Sequence, residues 1–210
     1  MMRRAALIAG ITALGLAWFG PLHALSAERF AAHMSVHMTI VAIASPLIAA
    51  GLANSRFDPV RSAPALFVAI PASLVELVVV WAWHAPALHL AARHRADMFV
   101  AEQASFLAAG LFLWLSVLGG DPATRRARAG SGAIALLLTF AHMTLLGALL
   151  ALTPRPLYRH ADTRSIPALL DDQHLGGTIM LLSGGISYIG GGLWLSHRLL
   201  RKAPPQVRPA

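Results

Sequence analysis

The chain of 210 residues contains no cysteine and few charged residues. The absence of cysteine excludes disulfide bonds, thiolate metal sites and cysteine nucleophiles, so methionine is the only soft metal ligand available. Asp, Glu, Lys and Arg make up 12% of the chain, whereas hydrophobic residues make up 57% and the mean hydropathy is +0.63. Soluble domains carry about 25% charged residues. The composition therefore predicts a membrane protein.

Six apolar runs approach the roughly 20 residues that a helix needs to cross the hydrocarbon core of a bilayer. The runs cover residues 5–19, 30–53, 64–83, 98–118, 134–152 and 175–195. They predict an all-α polytopic bundle of about six transmembrane helices. We expect residues 1–202 to form one transmembrane domain and residues 203–210 to form a basic, Pro-rich cytoplasmic tail.

The first 25 residues fit two interpretations. They can form an uncleaved first span, or they can be a signal peptide, because Arg3 and Arg4 precede an apolar stretch that ends in small residues. In either case the second span enters the membrane from the outside. The sidedness of every later residue is therefore the same.

The positive charges are distributed unevenly between the two sides. A formal net charge of +8 and a pI of about 11.5 would indicate nucleic-acid binding in a soluble protein. With the amino terminus in the cytoplasm, however, 11 of the 17 Lys and Arg residues fall on the inside, and short basic loops are retained there during insertion. We therefore expect both termini to be cytoplasmic in a bacterial inner membrane, with lipid around the bundle and no nucleic-acid partner.

The segment HMSVHM, residues 33–38, places polar side chains near the outer end of the second span. His33 and His37 are four residues apart, so they share one helix face and are about 6 Å apart along the axis. Met34 and Met38 form a parallel pair on the adjacent face. Leucine would suit the bilayer better at all four positions.

Other predicted spans bring polar groups to the same outer half. His84 and Pro86 end the third span in WAWHAPALH, and Glu102 lies in the outer half of the fourth. The segment DDQHLGGTIM opens the sixth span with Asp171, Asp172, Gln173 and His174, and with Met180 further in. Ionisable groups in spans are costly and usually face the bundle interior, so this collection predicts a functional site.

Imidazole together with thioether is a ligand set that suits Cu(I), whereas zinc would not use the methionines. The sequence therefore predicts a metal site of His33, His37, Met34, Met38 and His84. Glu102, Asp171, Asp172, Gln173, His174 and Met180 are predicted to surround this site or to form its mouth.

Alternative interpretations remain open from the residues alone. His37 and His142 could hold haem between facing helices, or the carboxylates could translocate protons or a small solute. Taken singly, His142 and Glu76 are more typical of hydrogen bonds between helices, and Met143 of packing. His89, His94 and His160 are predicted to be solvated in loops.

Five ordered blocks resemble the CtaG family of cytochrome c oxidase assembly factors, the multi-span type associated with caa3 oxidases. The likeness runs from about residue 30 to residue 196. The blocks are HMSVHM with SPLIAAGL, WAWHAPALHLAARH, AEQASFLAAGLFLW, GALLALTPRPLY and DDQHLGGTIM.

The resemblance implies a non-enzymatic helper in the assembly of a haem-copper oxidase, which aids delivery of Cu(I). Its partners would be an oxidase subunit and a periplasmic copper donor. The family's motifs fall on the histidine and methionine pairs of residues 33–38, on Trp83, His84 and Pro86, on Asp172 and Gln173, and on Met180. Two positions depart from the family pattern, since Gln103 replaces an expected histidine and His174 an expected glutamine.

Overall fold

The chain is a bundle of helices, described by a computed structural model over residues 1–158 and 164–200. We number the long helices as spans. They are span 1 (Met2–Phe19), span 2 (Phe30–Leu52), span 3 (Ala69–His84), span 4 (Ala96–Leu118), span 5 (Arg125–Leu152) and span 6 (Ile166–Leu200). Short helices cover Pro21–Ser26, Pro59–Ser62 and Pro86–His94. His160 and the predicted tail at 203–210 lie outside the described residues.

The all-α membrane fold predicted from the sequence is confirmed. Five helices of the described chain are long and apolar enough to cross a membrane, and span 3 joined to the Pro86–His94 helix gives a sixth. We call the end of the bundle that holds Phe30, His84, Ala96 and Ile166 the histidine end. The opposite end, with Asp58, Gly120 and Arg128, is called the arginine end.

Span 2 departs from the α-helical pattern at its middle. Pro46 has no N–H to donate to the carbonyl four residues earlier, and its ring crowds that carbonyl. The backbone forms a π-helical segment at Thr39–Ala44, and the carbonyl of Ala42 accepts a hydrogen bond from the Ser187 hydroxyl of span 6 at 2.8 Å. Ser187 itself lies in a second π-helical segment, Gly185–Ile189. The two irregular segments are thus joined by a side-chain hydrogen bond.

Spans 5 and 6 approach each other closely near the histidine end. A Cβ atom on Gly177 would lie 2.5 Å from the backbone nitrogen of Ala151, so only glycine permits this separation. On the other face of span 6, a Cβ on Gly176 would lie 2.5 Å from the Phe30 ring and 3.0 Å from Cγ of Met34. The two glycines therefore set how closely span 5 and the histidine-bearing half of span 2 approach span 6.

Span 3 ends at His84, as predicted, but the chain then enters a second helix. Ala85 is extended, Pro86 takes the first helical turn, and the Pro86–His94 helix runs at 71° to span 3. Proline is favoured at that position because its missing N–H would be unpaired there anyway. His89 is therefore helical and only 2% exposed, so the prediction of a solvated loop histidine was wrong. His94 is exposed at the end of the same helix.

Span 6 begins earlier than the apolar run suggested. Its 35 residues extend about 50 Å, which exceeds the roughly 30 Å of the hydrocarbon core. Asp171, Asp172, Gln173 and His174 therefore lie on its second and third turns rather than at its opening.

Candidate metal site

His33 meets two side chains from other helices at the histidine end. One ligand atom each from His33, His89 and Glu102 lies within 4.8 Å of the other two, and all three residues are buried. Nε2 of His33 is 3.6 Å from Oε1 of Glu102, and the ring centroids of His33 and His89 are 5.0 Å apart. Two imidazoles and a carboxylate at this spacing form a possible ligand set for a cation.

Glu102 has two oxygens in different surroundings. Oε2 accepts a hydrogen bond from the guanidinium of Arg93 at 2.7 Å and another from the Gln103 amide at 3.2 Å. Oε1, by contrast, is buried without a hydrogen-bond partner. Gln103, where the resemblance led us to expect a histidine, therefore helps to orient the carboxylate.

His37 lies one turn deeper, beside His84 of span 3. Their ring centroids are 5.4 Å apart, and Phe106 packs 4.0 Å from the His37 ring. Nδ1 of His84 is 2.6 Å from the carbonyl of Val80, which leaves Nε2 as the nitrogen available to a ligand. Both ring nitrogens of His37 and Nε2 of His84 are buried without a hydrogen-bond partner. Buried polar atoms are normally paired, so this group is unusual.

Tyr158 contacts both histidine groups, the outer one with His33 and His89 and the deeper one with His37 and His84. Its hydroxyl donates a hydrogen bond to the His84 carbonyl at 2.8 Å, and its ring lies 4.3 Å from the His89 ring and stacks on Phe30 at 4.6 Å. Burial raises the pKa of Tyr158, so the phenol stays protonated and remains a donor. The residue fixes the junction between span 3 and the Pro86–His94 helix.

Met34 and Met38 are fully buried, but they face span 6. Cγ of Met34 lies against Gly176, and the terminal methyl of Met38 lies 3.7 Å from the Cβ position of Gly184. The two histidines of span 2 instead contact Glu102, Phe106 and the Pro86–His94 helix. The predicted sharing of one face by His33 and His37 is thus confirmed, while the thioethers point toward a neighbouring helix.

Two of the residues predicted at the mouth, Asp172 and Gln173, accept hydrogen bonds from backbone N–H groups. Asp172 accepts hydrogen bonds from the N–H groups of Phe30 and Ala31, at 2.9 and 3.2 Å, and caps span 2. It also pairs with Arg164 at 3.1 Å. Oε1 of Gln173 accepts from the N–H of Leu157 at 2.7 Å.

The remaining members of that predicted set have different surroundings. His174 contacts the carbonyl of Thr153 through Nε2 at 2.9 Å, Asp171 is exposed, and Met180 is fully buried in the core. The ring of the extra histidine at position 174 is therefore turned toward the backbone at the end of span 5. Asp172 and Gln173 do line the same opening as His33 and His89, which connects the outer group to the surface.

Glu76 pairs with a neighbouring helix, as its structural interpretation predicted. Its Oε1 accepts a hydrogen bond from the hydroxyl of Tyr188 of span 6 at 2.9 Å. Less than one turn away on span 3, the hydroxyl of Ser73 is hydrogen-bonded to that of Thr139 of span 5 at 2.9 Å. His142 is buried in span 5, and its ring nitrogens have no hydrogen-bond partner.

His89 and Arg93 are the site residues that the sequence interpretation missed. A helix beginning at Pro86 puts His89, Ala92 and Arg93 on one side, since they are three and four residues apart. His89 and Ala92 are both buried. Interpreting Pro86 as the start of a helix, and not only as the end of span 3, would have revealed this placement.

These observations define a polytopic helical membrane protein with a buried histidine cluster at one end. Residues 1–202 match the family described as cytochrome c oxidase caa3 assembly factor, Caa3_CtaG. The chain belongs to this family, which confirms the resemblance seen in the motifs. No curated protein and no solved structure matches the chain. Such a family is generally non-catalytic, and its role implies association with cytochrome c oxidase.

Proposed function

We propose that this assembly factor aids the delivery of Cu(I) to a haem-copper oxidase, and that His37 and His84 form the centre of its copper site. The observation that carries the proposal is the pair of buried imidazoles from two spans, with three ring nitrogens that have no hydrogen-bond partner. Leaving such atoms unpaired in a low-dielectric interior is unfavourable. A bound soft cation would satisfy them.

The other predicted ligands have supporting roles in this proposal. His33, one turn nearer the surface, receives copper from the opening, and the thioethers of Met34 and Met38 on the adjacent face supply soft donors during transfer. A ligand set without thiolate suits a protein that must release its cargo. Glu102, Asp172 and Gln173 shape the path from the opening.

The direction of delivery follows from the charge distribution. We infer that the histidine end faces the extracytoplasmic side of a bacterial inner membrane, because the loops at the other end carry most of the arginines and basic loops are retained in the cytoplasm. Copper would then come from a periplasmic donor. The recipient would be a nascent oxidase subunit within the bilayer.

Single-cysteine labelling tests this orientation, since the chain has no cysteine of its own. Asp171 and Ala123 are exposed at opposite ends of the bundle. A membrane-impermeant maleimide added to intact spheroplasts should modify Asp171→Cys, and should modify Ala123→Cys only after the membrane is opened. The reverse pattern would refute the proposed direction.

Copper binding is tested on the detergent-purified chain under anaerobic, reducing conditions. Competition with a chromophoric Cu(I) chelator should show about one equivalent bound by the parent protein. The His37→Ala variant should lose this binding while staying monodisperse, because no described hydrogen bond depends on the His37 ring.

His142→Ala provides the matched control, since His142 is another buried histidine with unpartnered ring nitrogens. It should bind Cu(I) like the parent. Unchanged binding in His37→Ala would refute the assignment of the site. A Soret band in the parent that disappears in His37→Ala would instead indicate haem.

A further inference from the structure

The group formed by His33, His89 and Glu102 differs chemically from the His37 and His84 pair. The deeper pair offers only imidazole nitrogen, whereas the outer group adds a carboxylate oxygen. Borderline divalent cations such as Zn²⁺ and Cu²⁺ bind two imidazoles and a carboxylate, while Cu(I) prefers softer ligands.

We propose that His33, His89 and Glu102 form a second metal site, which binds a divalent transition-metal cation, and that the positive charge of Arg93 limits the affinity of this site. Ligand atoms about 2.1 Å from a tetrahedral ion are about 3.4 Å apart. The 3.6 Å separation of His33 Nε2 and Glu102 Oε1 is close to that value. Small side-chain rotations bring the third atom, which lies within 4.8 Å of both, into the same shell.

The surroundings of the carboxylate fit this role. Oε1 is buried without a hydrogen-bond partner, so a lone pair is available to a cation. The other oxygen is held by Arg93 at 2.7 Å, and Arg93 is itself anchored to the carbonyl of Ser26 at 2.8 Å. The carboxylate is thus oriented by one oxygen and left available at the other.

Arg93 also places a positive charge next to the bound cation. In a partly desolvated setting, like charges at this separation repel strongly. The site is therefore expected to bind its ion weakly enough for exchange. Its opening, lined by Asp172, Gln173 and Arg164 as well as by the ligand histidines, provides the route for that exchange.

This site shares His33 and the opening with the proposed copper path, so the experiment keeps the two apart by changing the other ligands of each site. The full chain, purified in detergent and treated with chelator, is titrated with Co²⁺, whose visible absorption reports coordination, and then with competing Zn²⁺. The parent should bind about one equivalent. His89→Ala and Glu102→Gln should weaken binding about tenfold or more, because each removes a ligand.

Two control variants show whether a loss of Co²⁺ binding is specific to this site. His94→Ala changes an exposed histidine at the end of the same helix and should bind Co²⁺ like the parent. His84→Ala should retain Co²⁺ binding while losing Cu(I), which distinguishes failure of this site from failure of the proposed function.

Arg93→Gln gives the sharpest test, since loss of the guanidinium should tighten Co²⁺ binding about tenfold. A misfolded variant would not gain affinity, so this result cannot arise from structural damage. The proposal is overturned if the parent binds no Co²⁺, if His89→Ala and Glu102→Gln bind it like the parent, or if Arg93→Gln binds it more weakly.

Discussion

The two ends of the bundle use their buried polar groups differently. At the arginine end, Asp58 accepts hydrogen bonds from the N–H groups of Asn54, Val60 and Gly120 at 2.8, 3.1 and 2.9 Å. Arg128 donates to the carbonyls of Ser116, Gly119 and Phe67 at 2.8, 3.0 and 3.2 Å. Both side chains are thus committed to holding loop backbone, including Gly120 at a φ of 89°.

At the histidine end, several ring nitrogens make no such bonds. Nδ1 of His33, both nitrogens of His37 and Nε2 of His84 are buried without hydrogen-bond partners. Backbone there is held by other residues, namely Asp172, Gln173 and Tyr158. The difference indicates that side chains at the arginine end serve the fold, while the histidines are available for a ligand.

The largest expected effect on stability is at the arginine end. Asp58→Ala leaves three backbone N–H groups without their acceptor and should destabilise the protein by about 3 kcal/mol. Thermal unfolding in detergent measures this loss. Asp121→Ala is the control, because Asp121 is exposed and accepts a single bond from the N–H of Ala123; it should change stability by less than about 1 kcal/mol. Equal losses would contradict the contrast between the ends.

A smaller loss of stability is expected at Tyr158, which joins the two histidine groups. Tyr158→Phe removes the hydrogen bond to the His84 carbonyl and should lower stability by about 1 kcal/mol. Because His84 is then less firmly placed, Cu(I) affinity should fall about tenfold, as for residues that orient metal ligands. Chelator competition and thermal unfolding measure the two quantities.

Tyr188→Phe is the matched control for this prediction. It removes a bond of similar length to Glu76, on a residue outside the histidine groups. Stability should fall by a similar amount while Cu(I) affinity stays unchanged. A similar loss of affinity in both variants would mean that Tyr158 acts only through general stability.

The smallest effect on copper binding is expected for Met143→Leu. Met143 is fully buried in the core, and an exchange of similar volume usually lowers stability by less than about 1.5 kcal/mol. Cu(I) binding and oxidase activity in cells should remain at the parent level. A strong assembly defect would move the functional site toward the middle of the membrane.

The sequence was sufficient to predict the helical membrane fold and the shared face of His33 and His37, because both follow from the spacing of residues along one helix. It could not predict that Met34 and Met38 face span 6, since that depends on how span 2 is rotated within the bundle. His89 was missed because proline both ends and starts helices. The contact of His174 with Thr153 depends on where span 6 begins. The start of this span was predicted too late, because the polar residues 171–174 precede the apolar run.

The irregular backbone in the middle of span 2 has a mechanical consequence. A regular helix passes axial strain along its hydrogen-bond ladder, but the π-helical segment at Thr39–Ala44 interrupts that ladder below the histidines. The Ser187 hydroxyl anchors the interruption to span 6. We therefore expect changes in bilayer thickness that tilt the half of span 2 beyond Pro46 to be accommodated at this segment. The spacing of the histidine side chains would then be independent of the surrounding lipid.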